Sequence, residues 1–149
     1  MGDYGMSASG RARTATEIFT PDWCVRDMCD MLEDANPERD VFAPGTTFLE
    51  PACGDGNFVV EILRRKFERC VMRHDFTVAL RSVYGMDIQA DNIAECIRRV
   101  KALCGQYFKP TKEELQIIED HYIMCDSLKI MRMMADGNLQ SGTDQGAKG

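Results

Sequence analysis

Three acids, Glu50, Asp87 and Asp126, each end a short apolar run, and a turn with two glycines follows the first at once. The stretch Phe48-Leu49-Glu50-Pro51-Ala52-Cys53-Gly54-Asp55-Gly56-Asn57-Phe58 reads as strand, acid, tight turn and helix. Gly54 and Gly56 tolerate positive φ and let backbone approach a ligand closely. The helix that follows begins with unpaired amide donors, which suit a carboxylate or another anionic group. There is no third glycine three residues later, so the dinucleotide fingerprint is incomplete and NAD is disfavoured. Asp87, at the tip of a second apolar run, either accepts hydrogen bonds from both hydroxyls of a ribose or caps the next helix; the ligand role is expected. Ile88, beside it, can lie flat against a purine. Asp126 either takes the exocyclic amine of that purine or is a solvated strand-end acid.

These residues need a scaffold that brings strand ends together. Thr20-Pro21 opens a helix, with Thr20 as N-cap and Pro21 in the first turn, and Val25, Met28, Met31 and Leu32 form its buried stripe to about Asp34. Strands are expected over 46–50, 81–87 and 121–125. Helices are expected over 58–72, 91–104 (ended by Gly105) and from a capping box at Thr111-Lys112-Glu113-Glu114 that buries Leu115 and Ile118. The alternation predicts an open α/β sheet of about three parallel strands flanked by helices, with an N-terminal helix. Ligands in such sheets bind outside the carboxyl ends of the strands. Residues 1–15 read as a flexible N-terminus, 16–135 as one domain, and 136–149 as a disordered tail. Trp23 and Phe19 either cover a ligand or join the core, the core being favoured.

Composition narrows the functions. The 149 residues are 44% hydrophobic and 28% charged, as in a globular domain. No apolar run approaches the ~20 residues that span a bilayer, and no signal-type segment opens the chain, so an intracellular, cytoplasmic protein without membrane contact is expected. The seven cysteines include no C-x-x-C pair. Cys24, Cys96, Cys104 and Cys125 sit in apolar patterns as small hydrophobes, and zinc is not expected. His74 and His121 read as structural. The formal charge of −6 disfavours direct DNA binding. The basic run Arg64, Arg65, Lys66, Arg69 and Arg73 reads first as a solvated helix face and second as a phosphate patch.

The segment Glu50 to Phe58 resembles the motif Glu/Asp-Pro-Ala-Cys-Gly-x-Gly-x-Phe of the N6-adenine DNA methyltransferases, a class I S-adenosylmethionine-dependent family of restriction-modification systems. Glu17-Ile18-Phe19-Thr20-Pro21 is similar to their Thr-Pro element, Tyr84-Gly85-Met86-Asp87-Ile88 to their second motif, and Cys125-Asp126-Ser127 to their third. The resemblance runs from about Ala15 to Leu128 and implies a partial Rossmann-like α/β fold with the strands in the order 3-2-1. It implies S-adenosylmethionine as cofactor, with Thr20 and Pro21 at its methionine part. It sets Glu50, Pro51, Ala52, Cys53, Gly54, Gly56 and Phe58 around the amino-acid end, Asp87 on the ribose, Ile88 on adenine, and Asp126 with Ser127 near the adenine amine.

The family's catalytic Asp/Asn-Pro-Pro-Tyr/Phe is not matched, since no two prolines are adjacent in this sequence. The expectation is therefore a cofactor-binding, adenine-N6 methyltransferase-like chain that is inactive alone and works with a partner. The alternative is a non-catalytic regulatory or decoy module that binds a complete methyltransferase. In the family's fold the first strand is central, so here it is expected to form an apolar edge. The N-terminal helix, the tail, a second copy or a separate protein chain would cover that edge, self-association being the preferred version. DNA contact would be indirect.

Overall fold

The computed structural model describes residues 20–137. Residues 1–19, with Phe19 and the start of the Thr-Pro element, and 138–149 of the expected tail lie outside the described residues. The order is α1 (Asp22–Asp34), β1 (Phe48–Glu50), α2 (Asn57–Glu68), α3 (Arg73–Arg81), β2 (Val83–Asp87), α4 (Ala90–Tyr107), α5 (Lys112–His121), β3 (Tyr122–Met124) and α6 (Ser127–Ala135).

The strands form one parallel sheet, β1-β2-β3, which is the expected order read from its other edge. Phe48 pairs with Val83, and Gly85 pairs with Tyr122 on the far side. Side chains alternate across a sheet. Val83 and Tyr122 point into the core, while Leu49, Tyr84 and Ile123 on the other face are 57%, 40% and 47% exposed. Close packing extends to Gly85, where an added Cβ would lie 2.9 Å from the Tyr122 ring and 3.1 Å from Cys53 Cβ.

The strands are shorter than expected. Residues 46–47 leave the ladder because the Thr46 carbonyl accepts a bond from Lys66 Nζ, and Arg81 is the last residue of α3. Helix α3 was not expected. Asp75 starts it by accepting from the Val71 and Met72 amides at 2.9 Å each, and Ala79 and Leu80 bury its inner side. Nor was α6 expected; Asp136 closes it, followed by Gly137 at φ +71°.

Helix α4 passes Gly105 and ends at Tyr107. Tyr107 and Phe108 pack on Phe67 at 5.4 and 5.5 Å between ring centres, and Phe108 meets Phe76 at 4.6 Å. Aromatic burial is worth more than a glycine stop signal. In α1 the buried stripe is Val25 and Cys29; Met28, Met31 and Leu32 are exposed, as is Trp23, which is therefore not core. His121 is structural, its Nδ1 3.1 Å from the Val83 carbonyl and its ring stacked on Tyr84 at 4.2 Å.

The basic run is a solvated face only in part, since Arg73 is exposed and Arg64 and Arg69 half-buried while Arg65 and Lys66 are buried. Arg65 is buried and bonded to Glu61, Glu33 and Asp30. Lys66 is fully buried, with Nζ 2.7, 3.2 and 2.5 Å from the carbonyls of Ala43, Pro44 and Thr46. Burial holds this amine down, to about 8. Arg69 meets Asp40, and Arg73 meets Glu114 across α3 and α5. Apart from Glu61, one helical turn from Arg65, these partners lie far along the chain, so helical periodicity alone could not reveal them.

The expected capping box forms: Thr111 Oγ1 accepts from Glu114 N at 3.2 Å, and Glu114 Oε1 accepts from Thr111 N at 2.9 Å. Glu114 is 2% exposed and also accepts from Arg73 Nη1 at 2.8 Å and Thr77 Oγ1 at 2.9 Å. The Arg73 guanidinium chiefly, with these other donors, lowers its carboxyl to about 2. The unfolded chain then binds the extra proton first as pH falls, so this stabilisation, complete above the ordinary carboxyl range, drains away between about pH 5 and pH 2. Glu114→Gln is expected to cost about 2 kcal/mol at pH 7 and to flatten that part of the acid-stability curve in urea titrations. A curve as steep as the parent's would show that another carboxyl governs it.

Candidate functional site

Parallel pairing sets the carboxyl ends of the three strands side by side, and backbone bonds tie both the glycine turn and the end of β3 to the end of β2. Cys53 N donates to the Met86 carbonyl at 2.8 Å, tying the turn to β2, and Cys125 N donates to the Asp87 carbonyl at 2.8 Å, tying the end of β3 to the same place. Glu50, the turn 51–56, Asp87 and residues 125–127 are thereby gathered at one edge of the sheet, as the sequence predicts.

Both glycines of the turn adopt left-handed backbone, Gly54 at φ +54° and Gly56 at φ +99°. Gly56 is doubly constrained, because a Cβ there would sit 3.0 Å from Cys96 Sγ and 3.2 Å from Cys96 Cα on α4. The turn therefore packs against α4 at a distance that only glycine allows. Gly56 N-caps α2.

Asp87 is bonded in three directions. Its Oδ2 accepts from Gly54 N at 3.0 Å, and its Oδ1 accepts from Gln89 N at 2.8 Å and Asn92 Nδ2 at 3.1 Å. A carboxylate offers about four acceptor directions. The fold fills three, so a second ribose hydroxyl fits only if the Gly54 amide gives way. Asp87 thus closes the glycine turn and holds the entry to α4, whose N-cap is Gln89.

Glu50 is half-buried and accepts from Ala52 N at 3.3 Å; burial raises its carboxyl above the usual range. Pro51 is half-buried, Ala52 exposed, and Cys53 buried beneath the turn. Phe58 is half-buried against the core at the start of α2. Pro21, rather than Thr20, is the N-cap of α1. The Thr20 carbonyl instead accepts from Asn57 Nδ2 at 2.7 Å, which fastens the entry to α1 beside the glycine turn. Ile88 is 68% exposed at the same strand end. Asp126 is exposed and N-caps α6, its Oδ1 accepting from Lys129 N at 3.1 Å, while Ser127 is buried. The Asp126 carboxylate thus takes one bond, from the first turn of its own helix.

Sequence reasoning missed the brace behind the turn. Arg99 Nη1 on α4 donates to the Asp55 carbonyl at 3.0 Å and to Asn57 Oδ1 at 2.7 Å, and lies 3.4 Å from Asp55 Oδ1. Asp55 is 2% exposed, so the middle residue of the glycine turn points inward. Nothing local marks Arg99, which stands more than forty residues away from both partners. All seven cysteines are free thiols; burial pushes Cys29 and Cys70 each to about 11 and Cys104 to about 12, far from reactive thiolate character. No helix among the described residues is long and apolar enough to cross a membrane.

No family model matches the chain, and no solved structure matches it. Over 88 residues, or 59% of this chain, it is 36% identical to the Type II methyltransferase M.VspI of Vibrio sp. (strain 343). The chain spans 17% of that protein's length. Part of this chain is thus related to a methyltransferase.

Proposed function

We propose that this chain binds S-adenosylmethionine at the carboxyl edge of its sheet and forms the cofactor-holding part of a DNA adenine-N6 methyltransferase-like assembly. The observation that carries the reading is the closure of the glycine turn on Asp87 through the Gly54 amide, which sets Glu50 and Asp87 on either side of one backbone loop. The similarity to a Type II methyltransferase supports it. The half-buried Glu50, its carboxyl raised by burial, is suited to the cofactor's ammonium, which offsets that burial. Asp87 receives a ribose hydroxyl in its remaining acceptor direction, and the exposed Ile88 lies against the adenine. The cofactor supplies the methyl group; this chain binds and orients it.

The partner is a polypeptide that covers the β1 edge, a second copy of this chain being the preferred version. β1 is paired on one side, and Leu49 is 57% exposed. Unprotected edges of this kind recruit another strand. DNA is then met through the assembly, in keeping with the net charge of −6.

Calorimetry with S-adenosylmethionine and S-adenosylhomocysteine tests the cofactor reading, and saturable binding of both is expected. Light scattering behind size exclusion is expected to give a dimer, and a strictly monomeric chain sinks the self-association. Methyl transfer to duplex DNA adenine is expected once a separate polypeptide supplies the catalytic motif that this sequence does not match. Cofactor binding without transfer in any combination, joined to capture of a complete methyltransferase, would instead identify a regulatory module.

A further inference from the structure

Asp87 is held by more than its own turn. Gln89 N is a local donor two residues away, and Gly54 N belongs to the turn itself, but Asn92 reaches back from the first turn of α4. The Asn92 side chain is 5% exposed, and its amide nitrogen lies 3.1 Å from Asp87 Oδ1. A buried amide donor on a carboxylate oxygen fixes the rotation of that carboxylate. Fixing Oδ1 in this way turns Oδ2 toward the Gly54 amide, so one side chain on α4 sets both the acid and the glycine turn.

We infer that Asn92 is a positioning residue of this site, acting on the ligand through Asp87. This rests on the cofactor reading above. The shape of the site supports a role beyond helix capping: α4 also holds Gly56 by direct contact through Cys96 and Asp55 through Arg99. The same helix thus fixes the turn from behind and the acid from the side. Asn92 is the α4 group bonded to the Asp87 carboxylate itself.

Calorimetry on the full chain with S-adenosylhomocysteine, from pH 5 to pH 8, provides the test. Asn92→Ala is expected to weaken binding about tenfold at every pH. Asn92→Asp sets a second carboxylate against Asp87, and two facing carboxylates are relieved only by sharing a proton. Its affinity, relative to the unaltered chain, is expected to be lowest at pH 8 and to recover by about tenfold toward pH 5. In an Asp87→Asn background, Asn92→Ala is expected to have no further effect.

Unaltered affinity in both variants overturns the inference while leaving the cofactor reading intact. So does a loss in Asn92→Asp that is flat with pH, or one in Asn92→Ala that adds fully to Asp87→Asn, since mere loosening of α4 behaves that way. If the unaltered chain binds no S-adenosylhomocysteine, the cofactor reading fails, and hydrogen exchange at the Gly54 amide decides the positioning without ligand. Exchange about tenfold faster in Asn92→Ala upholds it, and an unchanged rate overturns it.

Discussion

In calorimetry the Asp87→Ala chain is expected to bind S-adenosylhomocysteine about a hundredfold more weakly than the unaltered chain. Two losses combine. The ligand loses an ionised hydrogen-bond acceptor, worth about 1.5–3 kcal/mol. The glycine turn also loses its tether, because the Gly54 amide no longer has Asp87 Oδ2 at 3.0 Å to close upon. Each ~1.4 kcal/mol is tenfold in affinity, so roughly 3 kcal/mol accounts for the effect. Asp87→Asn retains one acceptor oxygen and is expected to fall between the two. An Asp87→Ala chain that binds as tightly as its parent would remove the acid from the site and leave it a helix cap.

The largest stability effect is expected at Lys66, far from any ligand. Its ammonium is fully buried beneath the loop that leads into β1, with the carbonyls of Ala43, Pro44 and Thr46 gathered around it. Lys66→Ala opens a cavity where a long stem lay and leaves these carbonyls without their donor. Together these cost roughly 4 kcal/mol. Lys66→Met keeps most of the stem and is expected to cost about half of that. Urea unfolding measures both, and a Lys66→Ala chain within about 1 kcal/mol of the parent would mean that water replaces the ammonium. Because burial holds the amine at about 8, below the range of a solvated lysine, the unfolded chain keeps its proton to higher pH. The parent is therefore expected to gain stability as pH rises from about 8 toward the lysine range, and Lys66→Met is expected to lack that rise.

The fold was legible wherever a local rule governs. Apolar runs closed by an acid gave the strands, the family resemblance their order, and Thr111 with Glu114 the start of α5. Two glycines within three residues gave the turn and its left-handed backbone. Boundaries and extra helices were not legible, because aromatic packing carried α4 beyond Gly105 and an aspartate seeded α3 from inside its own first turn.

The site divides in the same way. Glu50, the glycine turn and Asp87 could be read from residue type and spacing, since each acts through backbone geometry that its own neighbours dictate. Their closure upon one another depends on pairing between strands, which only the folded sheet supplies. Arg99 behind the turn, Asn92 on Asp87 and Lys66 beneath the loop owe their roles to partners between five and forty-four residues away. Sequence by itself fixed which groups carry charge and where the chain can turn. Burial decided which charges must find partners, because an unpaired charge in the interior costs more than a marginally stable fold can bear.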